Sequence, residues 1–126
     1  MKKKYFLIGN MEHIQVIDSI QVIAKGVKWD RFISSCVFNA LKHIINSKHD
    51  LCFPQDKEKA LFYIKAIIKE SKNISKSPNF YNSEETKKIN FLLTNIAEKD
   101  KKLFYIVREI LNENYVLAKE LIEQYE

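Results

Sequence analysis

The sequence predicts an all-α protein, a compact single-domain bundle of five or six helices around a buried central helix at about residues 29–46. Three observations carry this expectation. Apolar residues recur three and four apart along most of the 126-residue chain, the period of one face of a helix. Only two Gly and two Pro are present, too few for the tight turns of a sheet meander. Hydrophobic residues at 46% and charged residues at 29% are the balance of a globular chain with one core. A chain of this length buries about two thirds of its unfolded surface and needs neither metal nor disulfide to fold.

The central element is WDRFISSCVFNALKHII, from Trp29 to Ile45. Ile33, Val37, Ala40, Leu41 and Ile44 share one side, with Trp29, Cys36 and Ile45 on its flanks, an apolar face too wide for a surface helix. Asp30 is its expected cap. Trp29, Phe32 and Phe38 point in different directions, so neighbours on at least two sides have to cover them.

The other elements follow in chain order. Residues 1–9 read as a flexible or extended arm whose Tyr5, Phe6 and Ile8 pack on the body. Its apolar run of four is too short for a signal peptide. A first helix is expected from Asn10 to Lys25, burying Ile14, Val16, Ile17, Ile20 and Ile23. Gly26 stops it with a positive φ. After the central helix, Pro54 is read as forbidding helix just before it and Asp56 as the cap of a third helix from Lys57 to about Lys72. That helix buries Ala60, Leu61, Ile64, Ile67 and Ile68.

Residues 73–83, NISKSPNFYNS, carry no helical pattern and read as a loop. A fourth helix opens at Ser83 with Glu84 and Glu85 and buries Ile89, Leu92, Leu93, Ile96 and Ala97. Asp100 caps a fifth, burying Leu103, Val107, Ile110 and Leu111. Asn112-Glu113-Asn114 reads as a break before a sixth that buries Leu117, Ala118, Leu121 and Ile122. The rival is one long terminal helix with a buried Asn114. LFYI occurs at Leu61–Ile64 and again at Leu103–Ile106, an echo too short to define a repeat array.

Charge is unevenly placed. Residues 1–82 carry 14 Lys and Arg against 7 Asp and Glu, and residues 83–126 carry 7 against 9, so a +7 part precedes a −2 part. A basic part beside a weakly acidic one suggests an anionic partner. Lys65, Lys69, Lys72 and Lys76 are spaced 4, 3 and 4, which sets four ammonium groups along one flank of the third helix, with Phe62 beside them. Phe80 and Tyr81 sit within the polar loop, either plugging the core or meeting a partner.

Catalytic and metal chemistry find little purchase. Gly9 and Gly26 cannot make a phosphate loop. The histidines, His13, His43 and His49, belong to no nucleophile motif. Cys36, His43, His49 and Cys52 are zinc-type ligands within 17 residues, but their spacing is not that of short chelating pairs. Reduced cysteines, a cytoplasmic location, no membrane span and no cofactor are therefore expected. The functional expectation is a non-catalytic protein-protein interaction module, such as an inhibitor, an immunity-type antidote, an adaptor or a chaperone. Its partner is another protein with an acidic surface, met through Phe62, Lys65, Lys69, Lys72, Lys76, Phe80 and Tyr81. The alternative is a nucleic-acid-associated regulator that holds phosphates with the lysine row and Lys2–Lys4. Only Arg31 and Arg108 are available for base readout, which weakens that alternative.

Overall fold

A computed structural model describes residues 11–47 and 53–126 of the chain. Six helices follow one another: α1 (His13–Lys25), α2 (Arg31–Asn46), α3 (Phe53–Ser71), α4 (Ser83–Lys99), α5 (Lys101–Leu111) and α6 (Tyr115–Gln124). The N-terminal arm, Asn10, His49 and Cys52 lie outside the described residues, and α1 begins at His13 after Glu12 as its N-cap.

Helix α2 is the centre of the bundle, packed against α1 and α3 and touching α5. Asp30 Oδ1 accepts the Ile33 backbone N–H at 2.9 Å and so starts the helix where the sequence places its cap. The seven side chains from Ile33 to Ile45 that it buries outnumber those of any other helix. Each full burial of an Ile or Leu contributes roughly 1.5–3 kcal/mol.

In α1 the buried set is Val16, Ser19, Ile20, Val22, Ile23 and Ala24, and Ile14 is 69% exposed. The expectation that Ile14, Ile17, Ile20 and Ile23 share one side fails for a geometric reason. A step of three residues precesses about 60° on a 3.6-residue helix, so Ile14 and Ile23 end about 180° apart. Gly26 also departs from expectation, with φ at −70° rather than positive. Glycine is needed there for room. A Cβ on Gly26 would run into ring carbons of Tyr81 and lie 2.6 Å from its hydroxyl.

Helix α3 starts four residues before the expected Lys57. Pro54 falls in its first turn, where a missing N–H leaves no intrahelical bond unmade, so this proline begins a helix instead of ending a connector. Asp56 is consequently inside the helix and buried rather than capping it. Its Oδ1 lies 3.1 Å from His43 Nδ1 on α2. Helix α3 ends at Ser71, leaving Lys72 and Lys76 beyond it.

The last three helices follow most of the sequence pattern, but Leu117, expected in the core, is 42% exposed, because the buried face of α6 runs through Tyr115, Ala118 and Ile122. Asn82 and Glu85 form a reciprocal capping box at the start of α4, each side chain taking the other's backbone N–H at 2.8 Å. Ile89, Leu92 and Ile96 are buried, Leu93 and Ala97 are half-buried, and Asn95 is buried too, its Nδ2 donating to the Phe91 carbonyl at 2.8 Å. Asp100 caps α5 by accepting the Leu103 N–H at 3.1 Å. The break between α5 and α6 is real: Glu113 takes the left-handed conformation at φ 65°, and Asn114 is exposed. Asn114 reaches back to Glu109 through both its N–H, 2.8 Å from the carbonyl, and its Nδ2, 2.7 Å from Oε1. The two LFYI stretches are not equivalent, since Phe62 is exposed and Tyr63 half-buried while Phe104 is half-buried and Tyr105 exposed.

Contacts between helix ends define two ends of the bundle. At one, Phe80 N–H reaches the Gly26 carbonyl, Tyr81 reaches Ile23, and Asn79 reaches Glu113. At the other, His43 meets Asp56, and Lys57 and Phe53 meet Tyr125.

Candidate functional site

The chain between α3 and α4 crosses the first of these ends, and three contacts hold it there. The Tyr81 hydroxyl donates to the Ile23 carbonyl at 2.7 Å, the Phe80 N–H donates to the Gly26 carbonyl at 3.3 Å, and the Asn79 N–H donates to Glu113 Oε2 at 3.3 Å. Burial pushes the Tyr81 phenol up to about 12. The two aromatics of this loop divide between the readings open to them: Tyr81 plugs the core, and Phe80 is left 63% exposed. Its backbone is tied on both sides, so little conformational entropy remains to be lost if its ring is covered.

The lysines do not form one helical row. Lys65 and Lys69 stand exposed on α3 with Phe62, which is 66% exposed and meets Tyr63 edge to face at 5.2 Å. Lys72 and Lys76, past the end of the helix, are carried by the loop. Lys76 Nζ sits 5.9 Å from the centre of the Trp29 ring, within the range of a cation–π contact. Phe62, Lys65 and Lys69 thus stand exposed on α3, while Lys72, Lys76 and Phe80 are carried by the loop, whose Lys76 rests over Trp29. Tyr81 lies beneath the loop as an anchor.

Several residues of this end were not legible in sequence. Trp29 flanks the core as expected, but that its ring also faces Lys76, 47 positions away, is not visible in sequence. Phe32 is 52% exposed near the start of α2. Tyr115 is buried beneath the loop, and its hydroxyl has no hydrogen-bond partner among the described residues, nor has Trp29 Nε1. Burial, with Glu113 and Tyr81 nearby, drives the Tyr115 phenol far above its ordinary range.

The zinc-type constellation is not assembled from the described residues, among which no group of three or more metal-binding side chains comes together. Cys36 is a buried free thiol, pushed up to about 11 chiefly by burial and further by Asp30 and Glu70. His43 is committed to Asp56 and stacks on Tyr63 with ring centres 6.1 Å apart.

No protein family, curated protein or solved structure matches this chain. Among the described residues no helix is long and apolar enough to cross a membrane.

Proposed function

We propose that this protein is a non-catalytic protein-protein interaction module whose contact surface is the end of the bundle that presents Phe80, together with Lys76, Lys72, Lys69, Lys65 and Phe62. The observation that carries the reading is Phe80, an aromatic side chain left largely in solvent on a backbone fixed by Gly26 and Glu113. Aromatic anchors displayed on a rigid platform dominate many interfaces, because their burial gains area without an ordering cost. An inhibitor, an immunity-type antidote, an adaptor or a chaperone in the cytoplasm would all use such a surface.

These lysines support a second reading, binding to a nucleic-acid backbone, and salt separates the two. Affinity capture with the tagged full chain at low and high salt tests both. A stoichiometric protein partner that persists at high salt and is lost with Phe80→Ala is the expected result. Phe80→Ala shifts stability by less than about 0.5 kcal/mol, as for an exposed side chain, so that loss reports the interface. Recovery of nucleic acid alone, and only at low salt, would replace this reading with the second.

A further inference from the structure

We infer that the partner is recognised through an acidic linear segment, seated across the seam where the α1–α2 link meets the α3–α4 loop, with Trp29 and Phe80 beneath it. The inference rests on the interaction reading above and specifies the chemistry of its partner. The two stretches that meet at the Lys76–Trp29 contact are residues 25–31 and 69–76. They carry Lys25, Lys28, Arg31, Lys69, Lys72 and Lys76 against only Asp30 and Glu70.

The acids are not equivalent to the cations they face. Asp30 is occupied as the cap of α2, accepting the Ile33 N–H, which leaves Glu70, exposed in the last turn of α3, as the one acid facing six cations. None of the six cations is paired with a carboxylate among the described residues, and Lys28 Nζ reaches only the Lys25 carbonyl, at 3.2 Å. Beyond Phe80 stand Glu84, Glu85 and Glu113, with Lys87 and Lys88 one turn further along α4 and Lys88 paired with Asp18, so the unbroken surplus of cations ends near Phe80. A segment lying on the Trp29 side gains carboxylate–ammonium contacts along the seam and covers an aromatic edge. One lying on the α4 side meets repulsion. That asymmetry gives the seam an orientation as well as an affinity.

Trp29 is the only tryptophan of the chain, so its emission reports on the seam directly. The full-length protein is titrated with a short Trp-free peptide rich in Glu with one central Phe, with the same peptide carrying Gln for Glu, and with a single-stranded oligothymidylate of equal charge. The expected result is a saturable change in Trp29 emission with the Glu peptide and an affinity at least about tenfold lower with the Gln peptide. In Lys72→Glu with Lys76→Glu the apparent affinity falls at least about tenfold, with helical circular dichroism unchanged. No change in Trp29 emission, an equal affinity in the double variant, or tighter binding of the oligothymidylate would overturn the inference. A protein captured through Phe80 that is retained at high salt by the double variant would overturn the acidic segment and leave the interaction reading standing. Failure of Phe80→Ala to release any partner would remove that reading itself.

Discussion

At the end of the bundle where α3 begins and α6 stops, His43, Asp56, Lys57, Asp100 and Tyr125 each reach a partner on another segment. Lys57 Nζ donates to the carbonyls of Glu123 and Tyr125 at 3.0 and 2.9 Å, closing the end of α6. The Tyr125 hydroxyl donates to Asp100 Oδ2 at 2.6 Å while the other oxygen of Asp100 caps α5. At the opposite end, Trp29 Nε1 and the Tyr115 hydroxyl have no partner among the described residues, and Phe32 and Phe80 stand in solvent. The first end spends its polar groups on holding helices together. The second leaves aromatic and cationic groups uncommitted, and surfaces not optimised for stability are where function concentrates.

Four changes test this contrast. Asp100→Ala removes both the α5 cap and the bond from the Tyr125 hydroxyl, so a loss of about 2 kcal/mol in urea unfolding is expected. A loss below about 1 kcal/mol would mean that this end is not the tightly bonded one. Gly26→Ala forces the Tyr81 ring away from α1 and loosens the loop that fixes Phe80. Overpacking of this kind costs about 2 kcal/mol, and faster amide exchange across residues 79–82 should accompany it.

The two buried tyrosines give the sharpest comparison. Tyr125→Phe should lose about 1.5 kcal/mol with its bond to Asp100, whereas Tyr115→Phe should be neutral or stabilising, since a buried hydroxyl without a partner is unfavourable. Equal losses at both positions would erase the distinction between the ends.

Alkaline stability gives a separate test, with no effect below pH 9 and a growing one above it. Cys36 is raised from 9.0 to about 11 and Tyr81 from 10.0 to about 12, so in each case the unfolded chain releases its proton first. Above pH 9 the unfolded state therefore binds fewer protons than the folded one, and stability falls as pH rises through the window from 9 to 12. Urea midpoints measured from pH 8.5 upward should decline, with Cys36→Ala flattening the first part of the slope.

Local signals were read well where they were purely local. Asp30 and Asp100 cap α2 and α5 because an Asp before an apolar-periodic run can satisfy an otherwise unpaired N–H. The break at Asn112–Asn114 was legible from a run of three polar residues containing two Asn, although the helical period itself continues through Asn114. Errors arose where one signal had two physical meanings. Pro54 stops a helix that precedes it and starts one that contains it, and only the chain's path distinguishes these. Gly26 suggested a left-handed turn, whereas the Tyr81 ring packed on its Cα is what requires a residue without Cβ. The lysine spacing implied a single helical flank because nothing in residues 69–76 marks Ser71 as the last helical position.

By itself the sequence determined the all-α class, the central position of α2, the caps at Asp30 and Asp100 and the start of α4 at Ser83, because helix period and capping depend on residues within four positions of one another. Tertiary structure alone decided which aromatics are exposed and what surrounds them. Tyr81 closes onto Ile23 and Gly26, Phe80 is left outside, and Lys76 comes to rest over Trp29. Each of these pairings joins residues more than 40 positions apart, and their meeting depends on where α3 ends and how the following loop crosses the bundle.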